Sequence, residues 1–176
     1  MDIKIVKQQN VSHNCIVCGI INDASLRAQF LETESGILIG VPNVREKHQS
    51  YPNRMHGGMI AALLDEAVGR AVQIAEPETW GVTAALELKY IKPVPLNSQI
   101  YVVGRIIRNA SRLFEGRGEI YLAETGEPLA SASAKYMKLP VEKIADVSFL
   151  HTQWIVEKRP LPDIKAFAAP KDGNLF

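Results

Sequence analysis

Residues 53–71 read NRMHGGMIAALLDEAVGRA. A histidine and two glycines open an almost wholly apolar run, which Asp65 and Glu66 interrupt. At about 3.6 residues per turn, Met59, Ile60, Leu63, Leu64, Val68, Val72 and Ile74 go round every side of a helix. Such a helix must be enclosed rather than covered on one face. Glu76-Pro77-Glu78 stops it, because proline cannot continue a helix, so a helix is expected from Gly57 to about Ala75.

Beyond that helix the apolar period changes to two. Val82–Ile91, Gln99–Arg108, Arg112–Leu122 and Leu129–Leu139 alternate as strands, separated by Pro93, Pro95 and polar turns. Before the helix, Leu26–Glu32 and Gly36–Pro42 read as a hairpin turning at Thr33-Glu34-Ser35-Gly36, followed by a loop to Met55. Ala130, Ala132 and Ala134 share one face of the last strand and are small enough to admit a helix closely. Two strands, one long helix and four strands predict an α+β protein whose antiparallel sheet curls around a central helix. Residues 1–24 are polar, turn-rich and without clear periodicity, and residues 141–176 are rich in Pro and Lys. The expected organisation is an N-terminal segment over 1–24, one domain over 25–140, and a tail over 141–176 with a short helix near 146–157.

Composition narrows the function classes. The 176 residues suffice for one sizeable core, and 47% hydrophobic with 22% charged residues argues against disorder. A net charge of +1 gives no reason to expect nucleic acid or a membrane surface as partner. No apolar run approaches the roughly 20 residues of a membrane span. The start, MDIKIVKQQN, lacks a hydrophobic signal core, so the cytoplasm is the expected compartment.

The two carboxylates separate on spacing. Glu66 has Arg70 four residues on, where the two meet on a helix surface, which predicts an ion pair on a solvated stripe. Asp65 has Val68 and Gly69 ahead of it and Ala61 and Ala62 behind, so its helix supplies no cation. An unpaired carboxylate in apolar surroundings is costly and is often catalytic. At the helix start, Gly57 and Gly58 leave backbone N–H groups open to an approaching carbonyl oxygen, an oxyanion hole in outline, or else they only permit a tight turn. Eight residues separate Gly57 from Asp65, roughly 12 Å at about 1.5 Å per residue. Both cannot reach one reacting carbonyl from a single chain. If both are catalytic, Gly57 of one subunit must meet Asp65 of another across a two-fold axis, which requires a homodimer.

HGGMIAALLDEA followed by GVTAALELKYIKPVP resembles the hotdog-fold acyl-CoA thioesterases of the PaaI-like branch, over about residues 15–139. The spacing HGG-x6-D, followed by a strand ending in Tyr-x-x-Pro, carries the resemblance. It implies a hotdog fold, dimers often paired into tetramers, and hydrolysis of a fatty or aromatic acyl-CoA without metal or cofactor. Carried onto this chain, the Gly57 amide would polarise the thioester carbonyl, with Gly58 beside it. Asp65 would be nucleophile or general base, and His56 would shape the site. Thr83 stands where some relatives carry a serine that positions water. Arg108 and Arg112 lie where relatives often place cations near the CoA nucleotide. Asn53 replaces a glycine common in relatives; asparagine tolerates left-handed backbone and can also contact substrate. Glu66, beside Asp65, is counted with the substrate-binding group.

Cys15-x-x-Cys18-Gly19 is half of a zinc ribbon or a redox pair. Zinc needs four ligands and no second CxxC exists, so His13, His48 or a neighbouring subunit would have to complete it. The strand-to-helix context of thioredoxin-like redox pairs is absent, and reduced, semi-buried thiols are expected. Similar N-terminal CxxCG segments accompany many hotdog thioesterases. The alternative to an enzyme is a hotdog module that binds an acyl-CoA thioester without turning it over.

Overall fold

The computed structural model describes residues 3–146 and 148–164. The chain runs β1 (Ile5–Gln8), β2 (Val11–Ser12), β3 (Gln29–Thr33), β4 (Leu38–Val41), α1 (Gly57–Ala71), β5 (Trp80–Tyr90), β6 (Ile100–Asn109), β7 (Leu113–Leu122), β8 (Pro128–Leu139), α2 (Phe149–Thr152) and β9 (Trp154–Ile155). Seven strands form one sheet in the order β1-β3-β4-β6-β7-β8-β5, and β2 pairs with β9 apart from it. Every pairing is antiparallel. The sheet carries α1 against it, the expected α+β hotdog architecture. Among the described residues no helix is long and apolar enough to cross a membrane.

Helix α1 begins where His56 caps it and runs into a 3-10 turn over Val72–Ile74, so the helical path ends just before Glu76-Pro77 as composition predicts. Ile60, Leu63, Leu64, Ala67, Val68, Ala71 and Val72 are buried. Each large apolar side chain among them contributes about 2 kcal/mol. The alanines Ala130, Ala132 and Ala134 are buried as their pattern requires. Closer still are the glycines of β6 and β7. A Cβ at Gly104 would stand 2.3 Å from the Ala67 carbonyl oxygen, and one at Gly118 would stand 2.7 Å from Val68. The helix backbone therefore rests directly on the sheet. Enclosure is incomplete: Ala61, Ala62, Asp65, Glu66 and Gly69 are only partly buried, and Asp65, Glu66 and Gly69 line a cavity.

The hairpin turns at Gly36, whose φ of +76° suits glycine and whose N–H donates to Thr33 O at 3.0 Å. Strand β3 starts later than Leu26 because Arg27 has φ +48°, which no strand accommodates. The N-terminal stretch read as without periodicity contains two strands. β1 forms the far edge of the sheet against β3, and β2 holds β9 through Val11 with Ile155 and Ser12 with Trp154. In place of a helix over 146–157 there are the four residues of α2, followed by β9. The segment past residue 140 is docked: Arg159 Nη1 donates to Arg27 O at 2.8 Å and Gln29 Nε2 to Pro160 O at 3.0 Å. The rest of the expected tail, 165–176, lies outside the described residues.

Candidate active site

At the start of α1 the donors are nearly all used. His56 Nδ1 accepts the Gly58 N–H at 2.9 Å, and His56 O accepts Met59 N–H and Ile60 N–H at 3.0 and 3.1 Å. Gly58 is therefore no free donor, contrary to the expectation that both glycines offer one. Gly57 N–H alone in this turn has no partner among the described residues. Tyr90 of β5 fixes it by donating its hydroxyl to Gly57 O at 3.0 Å. Asn53, in the preceding loop, has the left-handed backbone expected of it, with φ +61°. Its N–H donates to Gln49 Oε1 at 2.9 Å.

Two turns along, Asp65 has partners after all, and they come from the sheet. Thr83 Oγ1 of β5 donates to Asp65 Oδ1 at 2.8 Å. Tyr136 of β8 donates its hydroxyl to Asp65 O at 2.8 Å, with Oδ1 also in reach at 3.1 Å. Burial and then the negative Asp65 push the Tyr136 phenol up, so it stays a donor. Both hydroxyls converge on Oδ1, and Oδ2 has no hydrogen-bond partner among the described residues. The carboxylate is thus oriented by one oxygen, with the other available for chemistry. Tyr136 has no counterpart in the sequence reading, although it continues the inward face of Ala130, Ala132 and Ala134.

Asp65 lines a cavity of about 370 Å³, together with Glu66, Cys15, Trp80, Thr83 and Trp154. Glu66 pairs with Arg70 as its spacing predicts, Arg70 Nε to Glu66 Oε1 at 2.8 Å. The pair does not lie on a solvated stripe: the side chains are 18% and 8% exposed. The second Glu66 oxygen accepts the Cys15 thiol at 3.0 Å, so both oxygens are engaged. Arg70 also donates to Asn10 O at 2.8 Å and Cys18 Sγ at 3.1 Å, and lies 4.7 Å from the ring centroids of Phe30 and Trp154.

Cys15, Cys18 and Glu66 could together offer three metal ligands, all within 4.8 Å of one another. Arg70, bonded to two of them, already supplies the positive charge there. His48 cannot complete a set. Its Nδ1 accepts the Arg45 N–H at 2.9 Å and its Nε2 meets Ala24 O at 3.1 Å, while burial holds its pKa below the ordinary value. His13 does not join the group. Arg108 and Arg112 are exposed at the end of β6 and in the turn after it, outside the wall of the Asp65 cavity.

Residues 53–129 match the family model of the thioesterase superfamily. The chain is 25% identical over 93 residues to mouse acyl-coenzyme A thioesterase 13, covering 53% of this chain and 66% of that protein. A solved thioesterase superfamily protein superposes with a TM-score of 0.64 at 25% identity, covering 72% of this chain and 61% of its own. A Bacillus halodurans protein solved with CoA gives 0.59 at 25% identity, over 66% and 76% of the two chains. The chain thus spans just under two thirds of the mouse relative and of the first of these structures. Sheet order and central helix agree with these structures: the chain has the hotdog fold, and across 53–129 it is similar to the thioesterase superfamily.

Proposed function

We propose that this protein hydrolyses acyl-CoA thioesters to the free acid and CoA, at composite sites between two copies of the chain. The observation that carries the reading is Asp65, which lines a cavity with Oδ1 held by Thr83 and Tyr136 and Oδ2 without a partner among the described residues. Mouse acyl-coenzyme A thioesterase 13 and the CoA-bound Bacillus halodurans protein support the substrate class.

The thioester carbonyl oxygen accepts the Gly57 N–H of one subunit, which opposes the charge that develops on it. One such donor is worth about 3 kcal/mol in the transition state. Asp65 of the partner subunit either attacks the carbonyl carbon through Oδ2, expelling the CoA thiolate and leaving an anhydride for water, or takes a proton from the attacking water. His56 keeps the helix start in shape, and Asn53 flanks it from the loop. Arg108 and Arg112 offer exposed positive charge to the CoA phosphates. Glu66 and Gly58, with their hydrogen-bonding groups engaged, support the site rather than contact substrate.

The test is thiol release from short, medium, long and aromatic acyl-CoAs. Turnover of at least one class, lost in Asp65→Ala with the dimer retained, is expected. Binding of acyl-CoA without thiol release by the wild-type chain would leave the non-catalytic binding module as the better reading.

A further inference from the structure

Nothing in the proposed hydrolysis uses Cys15 or Cys18, yet the fold sets them beside it. Residues 15–19 make one tight turn in which Gly19 N–H donates to Cys15 O at 2.9 Å. A Cβ at Gly19 would stand 2.3 Å from that same oxygen, so the turn depends on its glycine. Residues three apart on a helical turn face the same way, and the ligand atoms of Cys15 and Cys18 lie within 4.8 Å. Both line the Asp65 cavity; Cys15 is partly exposed and Cys18 is buried.

The surroundings distinguish the two sulfurs. Cys15 Sγ accepts the N–H groups of Val17 and Cys18 at 3.2 and 3.5 Å, and its own thiol donates to Glu66 Oε2 at 3.0 Å. Cys18 Sγ accepts Ser12 N–H at 3.3 Å and Arg70 Nη2 at 3.1 Å. We propose that Cys15 and Cys18 are a reversible dithiol–disulfide pair opening on the Asp65 cavity, with Cys15 the attacking sulfur and Cys18 the resolving one. The neighbouring Cys18 group holds the Cys15 thiol below the ordinary range, against burial and the Glu66 carboxylate, while Cys15 and burial push Cys18 up. Arg70 beside Cys18 stabilises the thiolate that leaves when the disulfide is reduced.

With a peroxide as oxidant, the Cys15 thiolate attacks one oxygen of hydrogen peroxide. The O–O bond breaks, the sulfur becomes a sulfenic acid, and the departing hydroxide takes the thiol proton to form water. Cys18 then attacks the Cys15 sulfur, the S–S bond forms, and hydroxide leaves with the Cys18 proton as a second water. Two thiols are oxidised by two electrons and one peroxide is reduced. Spacing on one turn fits the Cα separation of about 4.4–6.8 Å that a disulfide needs. Oxidation also removes the thiol donor from Glu66, one residue from Asp65.

The experiment treats the full chain, reduced and then freed of reductant, with hydrogen peroxide and follows intact mass and free thiols. Loss of two hydrogens and both thiols, reversed by dithiothreitol, is expected. In Cys18→Ser, dimedone should trap a sulfenic acid on Cys15. In Cys15→Ser, labelling of Cys18 should be at least about tenfold slower. The wild-type result stands whether or not either variant folds, and none of these readouts depends on thioester hydrolysis. Thiols that survive peroxide, stoichiometric zinc retained in their place, or a disulfide between chains would overturn the pair. Faster labelling of Cys18 would overturn the choice of attacking sulfur.

Discussion

Asp65 Oδ1 accepts the Thr83 hydroxyl and lies within reach of the Tyr136 hydroxyl that donates to Asp65 O, so the placement of Oδ2 depends on both residues. Asp65→Ala is expected to lower thiol release by at least about 100-fold, the usual worth of a positioned acid or base. Glu66→Ala, which removes an Arg70 partner, should instead lower thermal stability and spare more activity. Full activity in Asp65→Ala with loss in Glu66→Ala would reverse the assignment. Tyr136→Phe keeps the ring stacked on Phe114 but removes the donor, and a fall in kcat of about tenfold with KM little changed is expected. The distinction between the two acids was legible, because i to i+4 spacing is local. Tyr136 was not, since its bond to Asp65 joins positions 71 residues apart and exists only once the sheet has closed.

Among the elements, the contact of α1 with β6 is the tightest. Gly104→Ala would drive a methyl into the Ala67 carbonyl, and backbone cannot yield as a side chain can. A loss of about 3 kcal/mol is expected, measured by chemical denaturation, against a smaller loss of about 1 kcal/mol at Gly36, where a Cβ meets nothing within 4 Å and the cost comes from the positive φ alone. Past the end of the helix, Lys138 first, then Thr79 and Asn109, pull the Glu76 carboxyl from 4.5 down to about 2. A lowered carboxylate stabilises the fold above its unfolded value and ceases to as pH falls through its folded one. The Tm deficit of Glu76→Gln should therefore be present at about pH 6 and shrink between about 4.5 and about 2. A deficit that is constant across that window would remove the ion pair as its cause. Long elements with a clean period, α1 and β5 to β8, were readable within a residue or two at most ends. β1 and β2, of four and two residues, are too short to show a period, and β9 pairs with β2 from the other end of the chain.

At the scale of the whole molecule, β5 has β8 on one side and, among the described residues, no strand on the other. Val82 and Tyr90 on it are 38% and 56% exposed. An apolar edge strand invites pairing, and this one also carries Thr83 and Tyr90, the partners of Asp65 and Gly57. In the proposed dimer a second copy would cover that edge, and the rise of α1 requires Gly57 of each chain to meet Asp65 of the other. Complementation checks this. Gly57→Val places branched bulk beside the amide, and Asp65→Ala removes the carboxylate, so each homodimer is expected to be inactive. Unfolded together and refolded at equal amounts, they form heterodimers in which one site holds an intact Gly57 and an intact Asp65. Random pairing makes half the dimers mixed with one good site each, so activity should return to about a quarter of wild type. A site built within one chain would show no recovery, because every chain in the mixture carries a lesion.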